Sequence, residues 1–307
     1  MPKKVVITGA TGLIGSHLVR ALKSRGDELT LLTRSPSAAE RILPGAAQYI
    51  KWDPGHGSKW EKCLDEKDAV IHLAGAPVMD KRWTHNYKEE ILKSRQSGTH
   101  QIVDAIASAS VKPGVLVSAS AIGYYGTEVK GPVTEADEAG EDFLAGVCKI
   151  WETEAARAED FGVRRVSIRI GIVLDKSGGA LPKMTTPFNY FIGGPLGRGD
   201  QGFSWIHIED LVEIFIMAID DNSMQGPYNA TAPNPVTMGE FALLVGNMLH
   251  RPAWLKVPEF ALRLVIGEGA SSITKAPLVL PERLIKSGYK FRFRDAKTAL
   301  SNLLENS

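Results

Sequence analysis

Along this chain, short runs of β-branched and leucine residues alternate with longer stretches whose apolar side chains recur every three or four positions. The runs fall at 5–8, 29–33, 68–76, 114–121 and 165–174. Most are apolar at successive positions, as strands covered on both faces of a parallel sheet are. Between them, Leu18, Val19 and Leu22 predict a helix over 16–24, which Gly26 closes as a helix C-terminal residue does. Ile91, Leu92, Ile102, Val103 and Ile106 mark the buried stripe of a helix over 87–107, and another helix is predicted over 143–158. Strands and helices in alternation build an α/β fold with a doubly wound parallel sheet.

After Asp175 the texture changes. Ser177-Gly178-Gly179 and the segment Gly193 to Gly202 are too glycine-rich for regular structure and read as binding loops. Helical patterns return after Trp205-Ile206-His207 and over 237–249, and prolines punctuate the tail from Arg251. The division expected is a sheet domain over 1–175 and a smaller substrate-side lobe over 176–307, which includes a small C-terminal domain at about 251–303. Segments of the second part can return to the sheet.

The first strand runs into Gly9-Ala10-Thr11-Gly12-Leu13-Ile14-Gly15, three glycines spaced G-x-x-G-x-x-G before a helical pattern. Glycine permits a tight turn and close backbone approach to a pyrophosphate, and the helix that follows aims free N–H groups at it. Gly9, Thr11, Gly12, Leu13, Ile14 and Gly15 are therefore candidate cofactor contacts in a Rossmann-type dinucleotide site. The second strand ends at Thr33-Arg34. A carboxylate there favours NAD, whereas an Arg accommodates the 2′-phosphate of NADP, so Arg34 argues for NADP(H). The alternative is a solvated surface arginine. Leu73, Ala74 and Gly75 end another strand in small residues against which ribose and phosphate can lie. Tyr49 to Pro54 is a weaker strand candidate, with Trp52-Asp53 near the adenine. Ser118 and Arg169, on later strands, complete the cofactor set.

Composition narrows the partners. The 307 residues carry Lys+Arg 36 against Asp+Glu 35, a formal charge of +1, so no long-range field favours nucleic acid or an acidic membrane. With 44% hydrophobic residues the chain can bury a large core. Two isolated cysteines, Cys63 and Cys148, give neither a disulfide framework nor a metal cluster. Met1 leads almost directly into the first strand, and no apolar run approaches a membrane span. The expectation is a cytoplasmic protein with a small-molecule substrate, no metal and an oligomeric state that the sequence leaves open.

These motifs resemble the extended short-chain dehydrogenase/reductase superfamily. More narrowly, they resemble its atypical epimerase family proteins of the SDR39U1-like type, sometimes labelled cell-division inhibitor homologues. The residues that carry the likeness span nearly the whole chain: the glycine turn, Arg82-Trp83-Thr84, Ser94-Arg95, Trp151-Glu152, Gly178-Gly179-Ala180, Gly193-Gly194-Pro195-Leu196-Gly197, Ser204-Trp205-Ile206-His207-Ile208, Tyr228-Asn229 and the segment 251–303. The resemblance implies a Rossmann domain, NADP(H), and a C-terminal lobe closing over a substrate cleft. In active relatives a Tyr moves the proton with help from a Lys four residues later and from a Ser, while nicotinamide handles the hydride.

Compared residue by residue, the pattern Y-G-x-S-K falls on Ala145-Gly146-Val147-Cys148-Lys149, with Ala145 at the tyrosine. Ser118 or Ser120 is the serine, and Tyr124 or Tyr125 is a phenol within reach. Ser120, Tyr124 and Lys149 are the catalytic candidates, each against a packing or surface alternative. Arg95 stands where the superfamily has Asn, and it suits a cofactor phosphate or an anionic substrate equally with an ordinary helix surface. Glu90 could hold that guanidinium or a ribose hydroxyl. His207 and Asp210 read as structural, Asp210 as a helix N-cap. The leading expectation is an NADP(H)-dependent oxidoreductase or epimerase-like enzyme on a small polar substrate. The alternative is a catalytically silent NADPH-binding sensor or scaffold linked to division machinery.

Overall fold

Val5, Val6 and Ile7 have no exposed surface and form the centre of strand β1, Lys4–Thr8. In this computed structural model, which describes residues 1–53, 60–129 and 131–305, the first half alternates as the periodicity predicts. Helix α1 is Leu13–Ser24, β2 Glu28–Thr33, α2 Pro36–Ile42, β3 Gln48–Lys51 and β4 Ala69–His72. Then come α3 His85–Ser108, β5 Val115–Ala121, α4 Phe143–Ala156 and β6 Arg164–Ile170. Pro54, the predicted end of the third strand, lies outside the described residues.

The predicted run 165–174 is two strands. At Gly171 the chain leaves the main sheet, because a Cβ there would stand 2.7 Å from the Ser204 carbonyl oxygen. The amide of Ile172 donates to that same oxygen at 2.8 Å. Strand β7, Ile172–Leu174, therefore pairs elsewhere. After it come α5 Ala180–Asn189, β8 Gly202–Phe203, β9 Trp205–His207, α6 Ile208–Asp220, β10 Gly226–Ala230, β11 Val236–Thr237 and α7 Met238–Leu249. The tail holds α8 Glu259–Ile266, α9 Ala270–Thr274, α10 Glu282–Lys286 and α11 Ala296–Leu304.

The main sheet has seven strands in the order β10-β6-β5-β4-β1-β2-β3, every pair parallel. The direction of winding reverses between β1 and β4, so a crevice opens there at the carboxyl ends of the strands, where doubly wound sheets bind ligands. Strand β10 returns from the second half of the chain to form the sheet edge. Helix α6 returns with it: Leu211, Ile214 and Phe215 share a core with Leu18 and Leu22 of α1. A second core, around Leu181, Phe188, Trp205, Phe241 and Leu300, belongs to the lobe of α5, α7 and α11. Fully burying each such side chain contributes about 1.5–3 kcal/mol, enough to keep the lobe folded beside the sheet.

Candidate functional site

The glycine turn is built by close approach. Gly9 has φ 69°, and a Cβ on it would lie 2.9 Å from the Leu73 carbonyl carbon at the end of β4. A Cβ on Gly15 would lie 2.3 Å from the Gly9 carbonyl oxygen, so only glycine lets α1 sit this tightly over the turn. Gly12 is the N-cap of α1, has no side-chain cap, and is followed by a first turn without acidic residues. The free N–H groups and positive dipole end there suit a phosphate. Thr11 is exposed beside them, while Leu13 and Ile14 open the helix half-buried. Gly179 folds over Leu13, its Cβ position being 2.9 Å from Leu13 Cδ2.

One hydroxyl pins the crevice shut from below. Thr8 Oγ1 accepts the amides of Leu73 and Ala74, each at 3.2 Å, and lies 2.8 Å from His72 Nδ1. With both lone pairs occupied it donates to Nδ1, which leaves the imidazole proton on Nε2. Burial pushes His72 down to about 3, with the Arg95 charge acting the same way. Leu73 and Ala74 are half-buried and Gly75 is exposed, so backbone faces the crevice here. At the end of β2, Thr33 Oγ1 accepts the Ser35 amide at 3.3 Å. Arg34 beside it is exposed and, among the described residues, makes no ion pair.

Arg95 reaches the β4 exit from α3. One Nη donates to the carbonyl oxygens of Ala76 and Ile91, both at 3.1 Å, and the guanidinium lies 4.8 Å from the Trp151 ring centroid. The expected partnership with Glu90 is corrected: Glu90 is exposed and sits 3.7 Å from Lys81. Five positions along a helix turn the carboxylate to a different face.

The catalytic candidates are rearranged more deeply. Ser120, 2% exposed, donates to Glu152 Oε1 at 2.7 Å. Glu152 also receives Arg169 through two bonds, Nε to Oε1 at 2.8 Å and Nη2 to Oε2 at 2.9 Å. Arg169 Nη1 donates to the Tyr125 hydroxyl at 2.9 Å, and that hydroxyl donates to Asn229 Oδ1 at 2.7 Å. Arg169 was expected at the cofactor. Instead it is a buried strut joining β5, α4, β6 and β10, because its register partner across the sheet is Ser120. Ser118 is equally buried and turns its hydroxyl to the Ala119 carbonyl oxygen at 3.2 Å.

Lys149 is exposed, the surface alternative weighed against its catalytic role. The residue that faces Ser120 is its neighbour Cys148, whose thiol is pushed up to about 12 by burial and by Glu152, against smaller opposing effects that include Ser120. Ala145 is fully buried on the same helix. Positions 145 and 149 thus do not form the tyrosine–lysine pair of the resemblance. Tyr124 is half-buried, its ring centroid 3.3 Å from Arg169 Cζ, and among the described residues its hydroxyl has no partner. Tyr125 was offered beside Tyr124 as a phenol, whereas Glu152, Asn229 and Cys148 were not among the candidate site residues. The one available signal was the helical i, i+4 spacing of Cys148 and Glu152 facing the serine strand.

The structural residues are clearer. His207 is the N-cap of α6, accepting the Glu209 amide at 3.1 Å, and stacks on Phe293 with centroids 3.7 Å apart. Asp210 does not cap its own helix; it accepts the amides of Arg292 and Phe293 at 2.8 and 2.9 Å and so ties the tail to α6. A cleft of about 970 Å³ opens between Thr127, Val129 and Gly131, the loop at 197–202 and the tail, with Arg198, Lys256 and Lys275 among its walls. Among the described residues no group of His, Cys, Asp and Glu is placed to hold a metal, and no helix is long and apolar enough to cross a membrane.

Comparison with known proteins agrees with this geometry. Residues 5–230 match the NAD dependent epimerase/dehydratase family, and residues 257–303 match a domain of unknown function, DUF1731. The chain is 44% identical to the epimerase family protein SDR39U1 homolog, chloroplastic, of Arabidopsis thaliana, over 98% of this chain and 86% of that one. It is 37% identical to the epimerase family protein YfhF of Bacillus subtilis, over 98% and 97%. The crystal structure of human epimerase family protein SDR39U1 (isoform2) with NADPH superposes with a TM-score of 0.89 at 32% identity, covering 99% of this chain and 100% of that one. With the fold, the glycine turn and the C-terminal segment in agreement, the chain belongs to the NAD dependent epimerase/dehydratase family, in its SDR39U1-like branch.

Proposed function

We propose that the protein binds NADP(H) across the β1–β4 crevice and acts, as an oxidoreductase or epimerase-like enzyme, on a small polar anionic substrate seated in the neighbouring cleft. The observation that carries this reading is the uncapped N-terminus of α1 on the Gly9–Gly15 turn, with the unpaired Arg34 at the end of β2. Free amides and an unpaired guanidinium fit the pyrophosphate and the 2′-phosphate. The human relative solved with NADPH supports the same cofactor. Bound nicotinamide would supply or accept hydride. The chain's own part is to hold that group against Leu73–Gly75 and to exchange the proton through the Tyr124 hydroxyl. On the cleft wall Arg198 is paired with Asp200 and Glu259 with Arg263, which leaves Lys256 and Lys275, among the described residues, as the cations that favour a substrate carrying carboxylate or phosphate.

The exposed Lys149 and buried Ala145 favour a second reading, a protein that binds NADPH and does not turn it over. One experiment separates the two. The purified protein is loaded with NADPH and its absorbance followed across a panel of carbonyl compounds and nucleotide sugars. Sustained oxidation lost in Tyr124→Phe is the result expected of the enzyme; tight binding with no oxidation by any compound would leave the silent reading.

A further inference from the structure

The charge of Arg95 has no counter-charge. Among the described residues no carboxylate lies within ion-pair distance of its guanidinium, which bonds only the backbone oxygens of Ala76 and Ile91 and lies against the Trp151 indole. Its titratable neighbours do not compensate it: His72 is held neutral and buried, and the Cys148 and Tyr87 protons are held more tightly than usual. A half-buried cation without an anion is unfavourable unless its charge has a use in the bound state.

Its position indicates that use. Each half of a doubly wound sheet takes one mononucleotide, with the pyrophosphate on the glycine turn between them. Arg34, at the end of β2, marks the adenosine half. Arg95 lies on the other side of the turn: Gly75, at the β4 exit, has its Cβ position 3.2 Å from Arg95 Cζ. On its far side α4 brings Trp151 and Cys148, which adjoin the end of β5. That is the half left for nicotinamide, whose ring is cationic when oxidised and neutral when reduced.

We propose that Arg95 makes this protein selective for the reduced cofactor, its unpaired positive charge in the nicotinamide half disfavouring NADP⁺ relative to NADPH. The inference rests on the NADP(H) reading above. It fixes which form the protein carries at rest: with NADPH seated, any turnover begins as a substrate carbonyl carbon gains hydride and its oxygen a proton, and the same charge then favours release of the oxidised cofactor. An epimerisation that begins by taking hydride would need the disfavoured form.

Calorimetric titration of the full-length protein with NADPH and with NADP⁺, for wild type, Arg95→Gln and Arg95→Lys, tests this. The wild type is expected to bind NADPH about tenfold or more tightly than NADP⁺. Arg95→Gln brings the ratio close to one, and Arg95→Lys keeps it. If thermal melting shows that Arg95→Gln does not fold, Arg95→Met, whose chain still covers Trp151, replaces it. The proposal is overturned if the uncharged variant weakens both forms by one factor, which would make Arg95 a phosphate contact, or if wild type shows no preference. Binding of neither form by wild type would instead remove the NADP(H) reading, and the proposal with it.

Discussion

Two arginines do different work here because their surroundings differ. Arg34 is in solvent and, among the described residues, unpaired, so its substitution should touch binding and little else. We expect Arg34→Ala to lower the NADPH/NADH affinity ratio by about tenfold while leaving the melting temperature within a degree or two; fluorescence titration of both cofactors checks it. Arg169 is enclosed, its side chain 3% exposed and that of Glu152 12%. Removing one member of such a pair leaves the other charge buried, so Arg169→Met should cost about 3–5 kcal/mol in urea unfolding. Lys149→Ala, on the solvent face of α4, should change stability by no more than about 0.5 kcal/mol. Counting from a motif made Lys149 a candidate, with a solvated helix position as its alternative. A shift of one residue on a helix turns a side chain by about 100°, which is why Cys148 faces Ser120 instead.

At the scale of elements, the contact of α1 with the end of β1 was readable from sequence, because only glycine tolerates it. Gly15→Ala would place a methyl 2.3 Å from the Gly9 carbonyl oxygen. The helix must then move off the turn, and NADPH affinity should fall at least about tenfold, measured by titration. The tie between β1 and β4 predicts a pH dependence. His72 is lowered from 6.5 to about 3 by burial, and His207 at the start of α6 from 6.5 to about 4. A histidine with a depressed folded value contributes stability above its unfolded pKa and loses it as pH falls, by up to about 1.4 kcal/mol per unit. Melting temperatures should therefore drop below about pH 6.5 and continue down toward pH 4, and His72→Asn should flatten part of that slope. Asp210, whose carboxyl is raised by burial, works in the opposite direction and softens the fall.

At the scale of the molecule, the lobe is tied across the crevice by contacts of unequal weight. Gly269 packs on the Trp83 indole, where a Cβ would stand 2.9 Å from Cε2. Lys88 and Glu268 pair beside it, and Lys183 meets Asp80 at 3.1 Å. The Lys183–Asp80 pair is exposed and worth about 0–1 kcal/mol at most. The indole contact is apolar and dominates. Trp83→Ala should therefore loosen the 259–274 segment, seen as faster limited proteolysis there, whereas Lys183→Ala should not. NADPH should slow that cleavage in the wild type.

The sequence by itself determined the alternation of strands and helices, the winding of the sheet and the glycine turn, because periodicity and the steric needs of glycine are local properties. It also reached the family, through motifs distributed over most of the chain. It did not determine that 165–174 breaks at Gly171, which segments of the second half rejoin the sheet, or that Arg169 is enclosed by Glu152 and Tyr125. Those depend on which strands become neighbours, and a chain shows its neighbours only once folded. Arg95 is the sharpest case: the residue was visible in sequence, but only the tertiary structure turned Glu90 away from it and set it at the exit of β4 against Trp151.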